Sequence, residues 1–326
     1  MKFRLLVPLL AVVGVVAMPG VATAQSKKVN VAVGIGDQSP RMFADANWKA
    51  LKLKRTRYFI EWNEIDQADQ LTRADDFVRA AQLAGVKVLM HISTDDINSI
   101  PRRPLPSLSA YKSKVKKLIN RYKPLGVKDW GVWNEANHKS QPTTKNPKRA
   151  AQFYKAFRSM CKGCKIVALD VLDQRGVESY IGRWMRFAGS AGRSSKLVVG
   201  IHNYSEVNRK LSDRKRSKSA SFKRYPGTLR IIKKVRQRNR RAKFWYTETG
   251  GAAKVSSLGC NRTRQANRTK FMFDRAKKYD RYIERLYSYN WFGSDCDRFD
   301  AGLVESDGTP RRAFTTFRSN LKNFRK

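Results

Sequence analysis

Runs of β-branched and aromatic residues recur along the chain, and each is followed by a stretch where apolar positions return every three or four residues. Short apolar runs of that kind read as strands buried on both faces; the longer spacing reads as helices with one buried stripe. Eight strands are predicted, at 29–36, 55–62, 86–92, 129–133, 165–171, 197–203, 243–247 and 286–292. Helical stripes fall between them, at Tyr111, Val115, Leu118 and Tyr122, at Phe153 and Phe157, and at Ile231 and Val235; Ala313, Phe317 and Leu321 form the last. These are ordinary core faces rather than cofactor boxes.

Strand then helix, eight times without a break in composition, predicts an α/β fold closed as a single (β/α)8 TIM barrel. The runner-up is an open doubly wound sheet, which usually has fewer strands and a Gly-rich phosphate turn after the first. Here Val33-Gly34-Ile35-Gly36-Asp37 offers a lone Gly-x-Gly, without the third glycine or a helix directly behind it.

The N-terminus has a different pattern. Met1-Lys2-Phe3-Arg4 is followed by an apolar run from Leu5 to Met18 and by Ala22-Thr23-Ala24, the basic, apolar and small-residue order of a secretory signal peptide. Residues 1–24 are therefore set apart from a barrel domain over 25–326, and a secreted, extracellular protein is expected. The run is shorter than the roughly 20 residues of a membrane anchor. No later segment is apolar enough to span.

Export favours disulfides for Cys161, Cys164, Cys260 and Cys296. Of the three pairings, Cys161 with Cys164 and Cys260 with Cys296 is preferred, since each pair then lies between neighbouring elements. A redox or zinc reading of Cys161-Lys162-Gly163-Cys164 lacks a second such pair and a nearby histidine. The 68 Lys and Arg against 26 Asp and Glu make the surface strongly positive. Such a field attracts polyanions, anionic cell-envelope polymers among them, and equally serves plain solubility. The most basic stretch, 209–224, follows the sixth strand and in a barrel would rise on the catalytic face.

Polar residues at the C-terminal ends of barrel strands converge on one point. The fourth strand runs Trp130-Gly131-Val132-Trp133-Asn134-Glu135 and the seventh Phe244-Trp245-Tyr246-Thr247-Glu248, each aromatic and ending in a carboxylate. Glycoside cleavage needs that pair, one acid to protonate the leaving oxygen and one carboxylate to attack the anomeric carbon. Alone, either glutamate reads as a strand-end charge in a surface ion pair. Together, three strands apart around a small barrel, they can face each other across its mouth.

Trp133-Asn134-Glu135 and Thr247-Glu248 resemble the clan A glycoside hydrolases, TIM-barrel retaining enzymes that include cellulases, mannanases, xylosidases and endo-glucanases. The resemblance covers nearly the whole chain after residue 24 in its order of elements, and implies Glu135 as general acid/base and Glu248 as nucleophile. It further implies that Asn134 bonds the sugar 2-hydroxyl, that Arg57 pairs with the nucleophile, and that His202 and Tyr204 contact the two carboxylates. Trp291 matches the aromatic floor of the sugar subsite, and His91 matches a histidine of the cellulase-like families. Gly302-Leu303-Val304 and Asp307-Gly308-Thr309-Pro310 resemble the turn into the last helix. Ala136 stands where many members have proline, so the family within the clan is left open.

Read from the residues alone, His91 and His202 could be core histidines, and Trp62, Trp133, Trp245 and Trp291 could simply fill the barrel. Asp170 on the fifth strand is a candidate cleft residue. Asp95, Asp96, Asp295 and Asp297 lack calcium-loop spacing and read as loop acids, so neither metal nor cofactor is expected. Glu135, facing a second carboxylate near aromatic walls, is expected to titrate high. The implied function is cleavage of O-glycosidic bonds in a polysaccharide or oligosaccharide by a monomer. The rivals are an inactive barrel that binds carbohydrate or the cell envelope, and nucleic-acid binding, which rests on charge alone.

Overall fold

The computed structural model describes residues 28–95, 104–209, 227–255 and 257–326. Residues 1–24, expected from sequence to be a signal peptide, together with Asp96 and all but Arg209 of the basic stretch, lie outside the described residues. Eight strands form the barrel: β1 (Val29–Gly36), β2 (Arg55–Glu61), β3 (Lys87–Ser93), β4 (Asp129–Gly131), β5 (Lys165–Leu172), β6 (Val198–His202), β7 (Lys243–Thr249) and β8 (Ile283–Tyr289). Each pairs in parallel with the next, and β8 pairs back with β1 from Ala32–Arg285 to Gly36–Tyr289, which closes the cylinder. The predicted (β/α)8 TIM barrel is the observed fold.

The helices are α1 (Ala46–Leu51), α2 (Ala68–Leu83), α3 (Leu108–Tyr122), α4 (Pro147–Met160), α5 (Val177–Ala188), α6 (Tyr204–Asn208), α7 (Gly227–Arg236), α8 (Arg262–Lys278) and α9 (Arg312–Leu321). Several start at a side chain that accepts an otherwise unpaired backbone N–H: Ser107 takes that of Ala110, Asn146 that of Arg149, and Asn261 that of Arg264. The predicted stripes are their buried faces, and Tyr111, Val115, Leu118 and Tyr122 are all sealed from solvent. Among the described residues no helix is long and apolar enough to cross a membrane.

Inside the cylinder Leu89, Val167, Trp245 and Tyr287 form a separate apolar layer. Arg285 joins it, with its guanidinium 3.8 Å from the Trp245 ring centre and 2.6 Å from Asp129. β8 thus begins at Ile283, three residues before the predicted 286. Glu284 and Arg285 look like loop residues in sequence, but a barrel strand can carry a charge inward when it is paired.

Both preferred disulfides, Cys161–Cys164 and Cys260–Cys296, are present. The second ties the loop after β7 to the loop after β8. The same two loops form a small antiparallel ribbon, Lys254–Val255 with Phe299–Asp300. Arg262 bonds Asp300 at 3.1 Å and Glu305 at 2.7 Å, and Arg311 bonds Asp300 at 2.6 Å. Across the seam, Asp37 after β1 accepts the backbone N–H groups of Trp291 and Phe292 at 2.9 and 3.1 Å, which fixes the exit of β8.

Candidate active site

Glu135 and Glu248 open on the C-terminal mouth of the barrel, with side chains 15% and 13% exposed. Beneath them lies a sealed layer of Arg57, His91, Asp170 and His202. Each comes from a different strand, and two glycines make the room. A Cβ on Gly131 of β4 would lie 2.1 Å from the His91 ring, and one on Gly200 of β6 would lie 1.9 Å from Asp170 Oδ1.

Arg57 organises one half of this layer. It donates from Nη1 to Glu248 Oε2 at 2.7 Å, from Nη2 to Asn134 Oδ1 at 2.7 Å, and from Nε to His91 Nδ1 at 3.3 Å. The last bond requires His91 Nδ1 to be an acceptor, so His91 is the neutral Nε2–H tautomer. Burial pushes its pKa down to about 3, with Arg57 adding to the effect against the pull of Asp170. Tyr204 donates its hydroxyl to Glu248 Oε1 at 3.0 Å, so both carboxylate oxygens of Glu248 are fixed.

His202 organises the other half. Its Nδ1 is 3.0 Å from Glu135 Oε1 and 3.8 Å from Glu248 Oε2, while Nε2 is 2.8 Å from Asp170 Oδ2. Burial alone would lower its pKa, but Asp170, Glu248 and the bond to Glu135 overcome that and raise it to about 10. Asp170 is held well below the usual carboxylate range despite its burial, because His202, His91 and Arg57 surround it. It also accepts the backbone N–H of Glu135 at 3.2 Å and the Thr247 hydroxyl.

Glu135 departs from expectation. Burial pushes its carboxyl up, but the bond and charge of His202 and the charge of His138 outweigh that, and the net direction is down. The proton shared with His202 therefore rests on the imidazole in the open site. Glu135 sits just past β4 at φ +43°, a left-handed backbone uncommon for a residue with a side chain.

Asn134, Arg57, His91, His202 and Tyr204 are all brought together as predicted, but three of them lie too deep to touch a ligand in the mouth. Arg57, His91 and His202 are at most 1% exposed and meet the carboxylates from below rather than a ligand in the mouth. Trp291 does not belong to the site. Its side chain is fully buried, bonded to Asp45 at 3.1 Å and packed edge-on against Phe314. With β8 ending at Tyr289, the residue at the strand end is Tyr289, which forms a row with Phe299 and Tyr204 through ring contacts of 6.3 and 5.0 Å beside Glu248. Trp133 and Trp245 are core residues. His138, 3.6 Å from Glu135 Oε2, was not expected at the site, so all three histidines of the chain lie within it. Asp173, at the end of β5, was also missed; it accepts the N–H groups of Ser205 and Glu206 at 2.9 and 2.7 Å and so sets the His202–Tyr204 segment.

Among the described residues no group of histidine, cysteine and acid side chains could hold a metal ion. The arrangement is instead that of a carboxylate pair with a shared proton reserve. Its framework has many solved counterparts. Xylanase 10B from Thermotoga maritima is similar in structure at a TM-score of 0.60 and 13% identity, covering 90% of this chain and 95% of that chain. The likeness establishes the fold. Xylanase XynB from Paenibacillus barcinonensis, solved with a conduramine derivative, gives 0.59 and 12%, over 91% of this chain and 99% of that chain. The intracellular xylanase TsXylA from Thermoanaerobacterium saccharolyticum, solved with xylotriose, gives 0.59 and 13%, over 90% and 99%. No family model matches the chain, and no curated protein matches it in sequence.

Proposed function

We propose that this chain is a secreted, retaining glycoside hydrolase that cleaves O-glycosidic bonds of a polysaccharide or oligosaccharide, with Glu248 as nucleophile and Glu135 as acid/base. The observation that carries this is the single atom His202 Nδ1, within 3.0 Å of one carboxylate and 3.8 Å of the other. Two carboxylates that share one neighbouring atom suit the roughly 5 Å separation of retaining pairs, not the wider gap in which inverting enzymes hold a water. Xylan is the first substrate to try, because the structural neighbours are named as xylanases.

In the first step Glu248 bonds to the anomeric carbon, the glycosidic C–O bond breaks, and its electron pair leaves with the oxygen, which takes a proton from Glu135. The proton originates on His202. A sugar ring over the mouth excludes water, strengthens the burial that already pushes Glu135 up, and moves the proton across the 3.0 Å bond. In the second step Glu135 takes a proton from water, the hydroxyl bonds to the anomeric carbon, and the ester to Glu248 breaks. Tyr289 and Phe299 supply the apolar ring surface that Trp291 was expected to give.

Azide distinguishes the two roles. Glu248→Ala and Glu135→Ala should each lose most turnover, and azide should restore both, yielding a glycosyl azide of inverted configuration from the first and of retained configuration from the second. Normal activity in both variants, or binding of polysaccharide by the wild type with no release of reducing ends, would refute the assignment; the latter would leave a binding protein.

A further inference from the structure

At the opposite end of the barrel from the carboxylates, the turn from α7 into β7 and the residues just before β8 line an open pocket of about 380 Å³. Its lining is almost wholly cationic: Arg236, Arg240, Arg241, Lys243 and Arg281, arranged around Tyr282. The guanidinium of Arg236 lies 4.9 Å from the Tyr282 ring centre and that of Arg281 4.5 Å, so one half-buried ring holds two like charges in place. Arg236 also donates to the carbonyl of Arg240, which draws the turn toward the ring. Glu284, 3.7 Å from Lys243, is the acid paired to this set, and among the described residues Arg236, Arg240, Arg241 and Arg281 have no acidic partner. Like charges gathered on a stacked framework repel one another unless an anion joins them.

We propose that this pocket is a binding site for an oligophosphate. Planar guanidinium forks match phosphoryl oxygens two at a time, and several of them within one cavity call for an anion of high charge density. The volume exceeds a single phosphate and lies in the range of small-ligand sites. The strand β7 joins the two ends: Lys243 lies at its start beside the pocket and Glu248 near its finish at the mouth, five residues or roughly 16 Å away. A ligand here leaves the carboxylates free, so this site stands whether or not the hydrolase reading does.

Titration calorimetry with sodium tripolyphosphate tests it. Replacing three exposed members of the set together, R240Q/R241Q/R281Q, should weaken binding at least tenfold, while K112Q/K116Q/K117Q, which removes the same charge from the exposed face of α3, should change it less than twofold. Should the first triple fail to fold, R240Q alone should weaken binding in the same direction. Glycosidase turnover should be unchanged in every variant. Equal losses from the two triples would reduce the site to general electrostatics; no binding to the wild type, or tighter binding of polygalacturonate through the same residues, would overturn the proposal.

Discussion

His202 connects the two chemical roles of the site, because the same ring touches both carboxylates and rests on Asp170. Its pKa is raised above the ordinary histidine value, so its proton is present at neutral pH and is lost only as pH rises through about 10. The proton available for the leaving group should vanish over the same range. In His202→Asn, Glu135 must keep the proton by itself, and the alkaline limb of kcat/KM should fall at least about one pH unit earlier than in the wild type, with the acid limb little moved. A pH–rate profile of both proteins decides this; coincident alkaline limbs would mean that His202 holds no catalytic proton. At this scale the carboxylates were legible in the sequence because a charged residue ending an aromatic strand has no packing explanation. Asp170 was less so, although a lone acid inside Lys165-Ile166-Val167-Ala168-Leu169-Asp170-Val171-Leu172 signals a buried partner. The direction of the Glu135 shift was not legible, since it depends on a histidine from another strand.

The strands were readable from sequence because parallel barrel strands are buried on both faces and leave continuous apolar runs. The error in β8 shows where that signal fails. Paired charges inside the cylinder, Arg285 with Asp129, erase the apolar run at its start, and the strand ends at Tyr289, two residues short of Trp291. Nothing in a local pattern reports that Asp129, more than 150 residues away, neutralises Arg285. Glycines carry a second readable signal, since Gly131 exists to admit the His91 ring. Gly131→Ala should cost about 1–3 kcal/mol of stability by urea unfolding, because the neighbouring ring is sealed in and tied to Arg57. An unchanged unfolding midpoint would show that the ring can move aside.

The loops after β7 and β8 act as one unit through their ribbon, their ion pairs and Cys260–Cys296. That disulfide joins residues 36 apart, whereas Cys161–Cys164 joins residues 3 apart. By loop entropy the longer closure contributes about 4 kcal/mol and the shorter about 1.5. Removing each pair by Cys→Ser should therefore lower stability more for Cys260–Cys296, and only that loss should also raise KM, since Phe299 lies in the ribbon beside Glu248. Equal effects in thermal melts and kinetics would place the Phe299 wall under other control.

For the whole molecule, the summed charge of +42 says only that anions will be attracted, whereas the distribution of arginines around Tyr282 says where one can be held. The basic pocket and the carboxylate mouth lie at opposite ends of one cylinder. A protein moored at the pocket therefore stands with its axis upright on whatever it is moored to, and its open end faces the surrounding medium. The material that holds it and a ligand of the open mouth need not be the same, nor need they compete for one surface.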